Sequence, residues 1–168
     1  MDASAASSVH GSTSAGSYHV AARVTGPGVA AGQAKDRTIE FDTSRSGSEE
    51  LPGPAELLAL AFADCLLKNV ERFSHLLSFD YDGASVAIEA ERQESPPRFT
   101  KIRYELRVAT GESEHRVELL HRNLRRSGTV YNTLAATCDV DGTIVAGPEV
   151  ADTFERPPVD VLRSQACC

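Results

Sequence analysis

No stretch of this 168-residue chain is apolar over the roughly 20 consecutive residues that a membrane-spanning helix requires. No membrane partner is therefore expected. The opening segment, Met1 to Ser17, has neither lysine nor arginine and no apolar centre. A secretory signal needs both a basic start and an apolar middle. Rich in Ala, Ser, Gly and Thr, this segment buries too little apolar surface to offset its chain entropy. It reads as a disordered leader (1–17) on a cytoplasmic protein. Basic residues are also in deficit, with 17 Lys and Arg against 24 Asp and Glu and a formal net charge of -7. That balance excludes a general nucleic-acid binder, which needs a basic face to displace counterions from phosphates. Cysteine is limited to Cys65, Cys138, Cys167 and Cys168, with no CxxC pair and no cysteine at ligand spacing from a histidine. His19, His75, His115 and His121 show no metal spacing either. A disulfide scaffold and a structural zinc site are both excluded, and no metal or organic cofactor is expected.

With 41% hydrophobic and 24% charged residues, the chain has the composition of one globular domain with a sizeable core. Tyr18 to Thr25 and Arg37 to Phe41 read as strands, separated by the turn signal Gly26-Pro27-Gly28. The strongest element begins at Pro54, which suits a first helical turn. Glu56 follows in that turn, where the helix dipole favours negative charge. From Leu57 to Leu67 every residue except Asp64 is apolar, so this helix is expected to be buried on nearly all faces. It is expected to end near Leu77 or Ser78. Val86, Ile88 and Ala90 alternate with polar residues, as do Ile102, Tyr104, Leu106 and Val108. These mark two antiparallel strands with one solvated face, interrupted at Pro96-Pro97. Val117, Leu120 and Leu124 form the stripe of a second helix, with Ser113 as its N-cap and Gly128 just beyond its C-terminal end. A short helix over Val130 to Ala136 and a strand from about Asp139 to Val145 complete the domain, leaving 147–168 as a loose tail. The order is β-β-α-β-β-α-α-β, an α+β fold. A helix this apolar needs cover on both sides, which a small chain obtains most simply from a second copy of itself.

Three runs together resemble the OsmC/Ohr family. Gly53-Pro54-Ala55-Glu56-Leu57-Leu58, ahead of Cys65, is similar to the family's GPxELL…C helix. Pro96 to Ile102 resembles the segment between its middle strands. Gly128-Thr129-Val130-Tyr131-Asn132-Thr133-Leu134 resembles the loop and helix that often reads CPxSNxL. The resemblance covers roughly Tyr18 to Val145, so the domain is bounded at 18–146. It implies an intertwined homodimer whose antiparallel sheets wrap buried central helices, with sites at the subunit interface. It also implies thiol-dependent reduction of organic hydroperoxides, with Cys65 at the attacking position. Glu56 falls on the acidic motif, one place later than in the PEQL pattern of the Ohr branch. An arginine from the early strands is implied beside the thiol. Arg23, Arg37 and Arg45 are candidates, with Arg37 the first choice. Phe62, Leu66, Tyr131 and Asn132 are the expected substrate contacts. Gly128 stands where the second, resolving cysteine belongs, so an external thiol would have to reduce the oxidised Cys65.

Each residue also has a plainer reading. Cys65 alone would be an inert core thiol, Glu56 a dipole partner of its helix, and Arg122 to Arg126 a solvated helix end. Cys138 lies ten residues past Gly128, too far along helical chain to replace a resolving thiol without a reversal. The alternative to a peroxidase is a non-catalytic dimer that binds a small ligand, or one that senses oxidation through Cys65 without turnover.

Overall fold

A computed structural model describes residues 16–150, which divide into two compact units at Gly53 and Pro54. The reading of a leader over 1–17 falls almost wholly outside the described residues. So do Cys167, Cys168 and all but the first residues of the proposed tail. Among the described residues, no helix is long and apolar enough to cross a membrane.

The first unit is a three-stranded antiparallel meander of β1 (Val20–Gly26), β2 (Val29–Ala34) and β3 (Arg37–Asp42). Gly26 pairs with Val29 across Pro27 and Gly28, and Gly28 takes a positive φ of 73° that glycine adopts without strain. The sequence reading placed two strands here and missed β2. Its residues, VAAGQA, are mostly small and carry little strand propensity. The strand forms because it is the middle one, hydrogen-bonded to β1 on one edge and β3 on the other.

The second unit opens with α1 (Pro54–Leu77), followed by β4 (Gly83–Glu94), β5 (Pro97–Ala109), α2 (Glu114–Ser127), α3 (Thr129–Ala135) and β6 (Asp139–Gly147). Its sheet has the order β4-β5-β6. The Pro96-Pro97 interruption is a tight hairpin, with Glu94 paired to Pro97 and a cis Ser95–Pro96 bond. The α+β fold with antiparallel sheets includes one parallel pairing that the sequence reading did not foresee, that of β5 with β6. After β5 the chain crosses back through α2 and α3, and a crossover of that length is what a parallel neighbour requires. β6 also extends to Gly147, the first residue assigned above to the tail.

The core lies between the helices and the sheet. Phe62, Leu66, Val70 and Phe73 of α1 meet Ile102, Tyr104, Leu106 and Val108 of β5, with Val117, Leu120 and Leu124 of α2 and Tyr131 and Leu134 of α3. The alternation read in β5 and the stripe read in α2 are therefore the buried faces. Cover is nonetheless incomplete on α1, where Leu60 is 61% exposed and Leu76 63% exposed.

Candidate functional site

Cys65 sits midway along α1, on the face turned toward the core, with 9% of its surface exposed. One turn later Asn69 points its carboxamide back at it. Asn69 Nδ2 donates to the Cys65 carbonyl oxygen at 2.7 Å and lies 3.8 Å from Cys65 Sγ. The α2–α3 junction closes the other side of the sulfur. Gly128 donates its N–H to the Leu124 carbonyl at 3.1 Å, and its own carbonyl accepts the N–H of Asn132 at 2.9 Å. It was expected as a helix-terminating glycine, but its φ of -75° and ψ of 116° are open to any residue. Close approach explains the glycine instead. A Cβ at position 128 would lie 2.9 Å from Tyr131 Cβ, 3.1 Å from the Leu124 oxygen and 3.3 Å from Cys65 Sγ. The other expected cap, Ser113, takes the N-cap position of α2 but makes no side-chain capping bond.

The remaining candidate residues divide. Tyr131 is buried, and its hydroxyl accepts a hydrogen bond from Arg125 Nε at 2.9 Å while the guanidinium carbon stands 5.9 Å from the ring centre. Asn132 is exposed and uses its amide to tie the turn, donating to the Arg126 carbonyl at 3.2 Å. Phe62 is fully buried, edge-on to Tyr104 at 5.7 Å and tilted against Tyr131 at 6.0 Å. It lines a small apolar cavity with Leu58, Ile88, Phe99, Ile102 and Leu134. That cavity has a volume of about 10 Å³, room for about one water. Leu66 packs wholly into the core, 1% exposed.

Glu56 is in the first turn of α1 and exposed. It precedes Cys65 by nine residues of continuous helix, a separation of roughly 13 Å along the axis at two and a half turns. The two side chains thus leave the helix on opposite sides. The one-residue displacement of the acidic motif turns Glu56 about 100° around the helix. Arg37 opens β3 in the first unit and is exposed. Cys65 and Cys138 are both free thiols, and Cys138 Sγ donates to the Leu134 carbonyl at 3.3 Å just after α3.

Sequence reasoning missed a polar cluster behind Tyr131. Tyr104 Oη and His121 Nε2 share a hydrogen bond of 2.7 Å, and Tyr104 and Tyr131 meet edge-to-face at 6.5 Å. Burial pushes the Tyr104 phenol far above its ordinary range. Burial, reinforced by the Arg125 charge, pushes the His121 imidazole below its usual value. A hydrogen bond to Tyr131 holds the Arg125 guanidinium more firmly charged. The available signal was spacing: Val117, His121, Leu124 and Arg125 follow the 3–4 rhythm of one helix face. Among the described residues, no group of three or more His, Cys, Asp or Glu side chains could hold a metal ion.

Comparison with known proteins places these features in a family. Among solved structures, the chain is similar to an OsmC-like protein from Mycoplasma pneumoniae, with 12% identity over 78% of this chain and 97% of that one and a TM-score of 0.72. It is also similar to an organic hydroperoxide resistance protein OsmC from Legionella pneumophila (17% identity, 76% and 96% covered, TM-score 0.62). A third is the organic hydroperoxide resistance protein OhrB of Bacillus subtilis (15% identity, 77% and 98% covered, TM-score 0.58). At these identities the likeness is one of fold. No curated protein matches the chain. The family described as OsmC-like protein matches residues 47–142, which span α1, the β4–β5 hairpin, α2, α3 and the start of β6. This chain belongs to the family of OsmC-like proteins.

Proposed function

We propose that this protein reduces organic hydroperoxides, with the Cys65 sulfur as the attacking atom. The observation that carries the reading is the position of Cys65. In a chain of this family it lies on α1, with its sulfur between the Asn69 amide and the α2–α3 junction. Two structural neighbours are described as organic hydroperoxide resistance proteins, which supports the substrate class. In the first step the thiolate attacks an oxygen of the O–O bond. An S–O bond forms, the O–O bond breaks, and the alcohol leaves with a proton, giving the sulfenic acid. With Gly128 against the sulfur, reduction falls to an external thiol. One thiol displaces water from the sulfenic acid to form a mixed disulfide. A second attacks the outer sulfur of that bond, releasing Cys65 as its thiol and the two external thiols as their disulfide. Hydroperoxide and two thiols become alcohol, water and a disulfide, a stoichiometry suited to the thiol-rich cytoplasm.

A second copy of the chain completes the assembly in this proposal. The exposed Leu60 on α1 is apolar surface that a homodimer would cover. For the arginine beside the thiol the proposal keeps the candidates Arg23, Arg37 and Arg45, with Arg37 the first choice.

The test is steady-state consumption of cumene or tert-butyl hydroperoxide with dithiothreitol, parent protein against Cys65→Ser. Turnover in the parent and its loss in the variant support the proposal. Equal background in both refutes it and favours a ligand-binding protein. One oxidation per subunit without turnover favours a sensor.

A further inference from the structure

Asn69 is out of place by the rules that fill the rest of its helix face. The neighbouring buried positions of α1 are Phe62, Leu66, Val70 and Phe73, and a leucine at 69 would fill similar volume without desolvating an amide. Among the buried residues of α1 only Asn69 and Ser74 bear an amide or hydroxyl, and Ser74 satisfies itself on the Glu71 carbonyl at 2.8 Å. Asn69 differs in where it points. A carboxamide nitrogen carries two hydrogens. One is held by the Cys65 carbonyl at 2.7 Å, which fixes the plane of the amide. The same nitrogen lies 3.8 Å from Cys65 Sγ, and its second hydrogen has not been used by the carbonyl bond. A bond to neutral sulfur at that separation is weak. Once the sulfur is ionised the bond becomes charge-assisted, and such bonds are shorter and roughly twice as strong.

We propose that Asn69 is a functional residue of this site, its side-chain amide donating a hydrogen bond that favours the anionic form of Cys65 over the thiol. This rests on Cys65 being the attacking sulfur. Asn69 transfers no proton or electron. It lowers the energy of the attacking anion and, after attack, faces the same sulfur in its sulfenic form. The backbone bond makes the donor preorganised, so no side-chain rotation accompanies ionisation. A donor one turn along the same helix also needs no contribution from another unit or another copy of the chain.

The experiment compares the parent protein with Asn69→Leu, Asn69→Ser and Cys65→Ser. Iodoacetamide alkylation of Cys65 is followed across pH, alongside hydroperoxide turnover. Leucine keeps the bulk and removes the donor. Serine keeps a hydroxyl that reaches the Cys65 carbonyl but not the sulfur, and carries the test if the leucine variant does not fold. Alkylation at neutral pH is expected to slow by about three- to ten-fold, the scale of one lost hydrogen bond. The midpoint of the rate–pH curve should move to higher pH, with rates converging at high pH. A rate lowered equally at all pH values, with an unmoved midpoint, overturns the proposal, because that is what a packing defect alone produces. In the unsubstituted protein, the Asn69 side-chain amide resonances should shift with pH in step with alkylation. Resonances that stay fixed overturn it as well. If the parent alkylates but never turns over hydroperoxide, the peroxidase reading fails while the midpoints still decide the role of Asn69. If the parent turns over and the variants keep its midpoint, Asn69 alone is refuted. A parent sulfur inert to alkylation at every pH refutes both.

Discussion

Gly128→Cys should convert the single-thiol site into a disulfide-forming pair. The backbone at 128, with φ -75° and ψ 116°, accepts a cysteine without strain. The new Cβ would lie 3.3 Å from Cys65 Sγ, and a disulfide with its S–S bond near 2.05 Å places each Cβ about 3 Å from the opposite sulfur. Only a few tenths of an ångström separate the two geometries. The obstacle is the other wall of the junction, Tyr131 Cβ at 2.9 Å and the Leu124 oxygen at 3.1 Å. Overpacking of this kind costs about 1–3 kcal/mol, so the reduced variant is expected to be less stable than the parent by that amount. Closing a loop of roughly 60 residues removes entropy from the unfolded chain worth about 4 kcal/mol. The oxidised variant should therefore unfold about 4 kcal/mol later than its own reduced form, and about 1–3 kcal/mol later than the parent. Urea denaturation with and without dithiothreitol reads the difference. Thiol titration and a mass loss of about 2 Da identify the bond formed from two thiols. A folded variant that keeps both thiols titratable after mild oxidation would show that Gly128 does not face the sulfur, and the placement of the site would be wrong.

Three further outcomes follow from the geometry. Gly142→Ala should destabilise the fold by about 1–3 kcal/mol in urea denaturation, because its Cβ would lie 2.3 Å from the Tyr104 ring that Gly142 faces in register; unchanged stability would refute that packing. The folded His121 titrates below its ordinary value of 6.5, so the unfolded chain binds the proton first. This contribution to stability is full above pH 6.5 and is lost as pH falls toward the folded value. His121→Gln should flatten that part of the stability–pH curve, and a curve of unchanged slope would count against a buried neutral imidazole. Leu60→Glu places a charge at an exposed apolar position of α1 and should turn the proposed homodimer into a monomer by light scattering. A parent protein that is already monomeric at micromolar concentration would remove the second copy from the proposal.

Much of the second unit was legible because its signals are local. Pro54, the apolar run behind it and the chain reversal after Leu77 delimit α1. The two-residue rhythm of Ile102, Tyr104, Leu106 and Val108 names the buried face of β5, and the stripe of Val117, Leu120 and Leu124 does the same for α2. Cys65 stood out as the one thiol in a run that is apolar except for Asp64. By contrast β2 left no trace in composition, since a strand of alanine and glycine is held by its neighbours rather than by its side chains.

What the sequence determined alone, then, is the existence of α1, α2 and the β4–β5 pair and the buried faces of β5 and α2, because hydrophobic periodicity is written in consecutive residues. Which faces meet was decided only in three dimensions. The parallel pairing of β5 with β6, the contact of Gly128 with the Cys65 sulfur, and the Tyr104–His121 bond each join residues many positions apart. Helical phase sets Glu56 half a turn from Cys65 around α1, nine residues earlier. Asn69 is the intermediate case. Its i+4 spacing from Cys65 was visible in the sequence, but only the packed core buries the amide nitrogen, 2.7 Å from the Cys65 carbonyl and 3.8 Å from its sulfur.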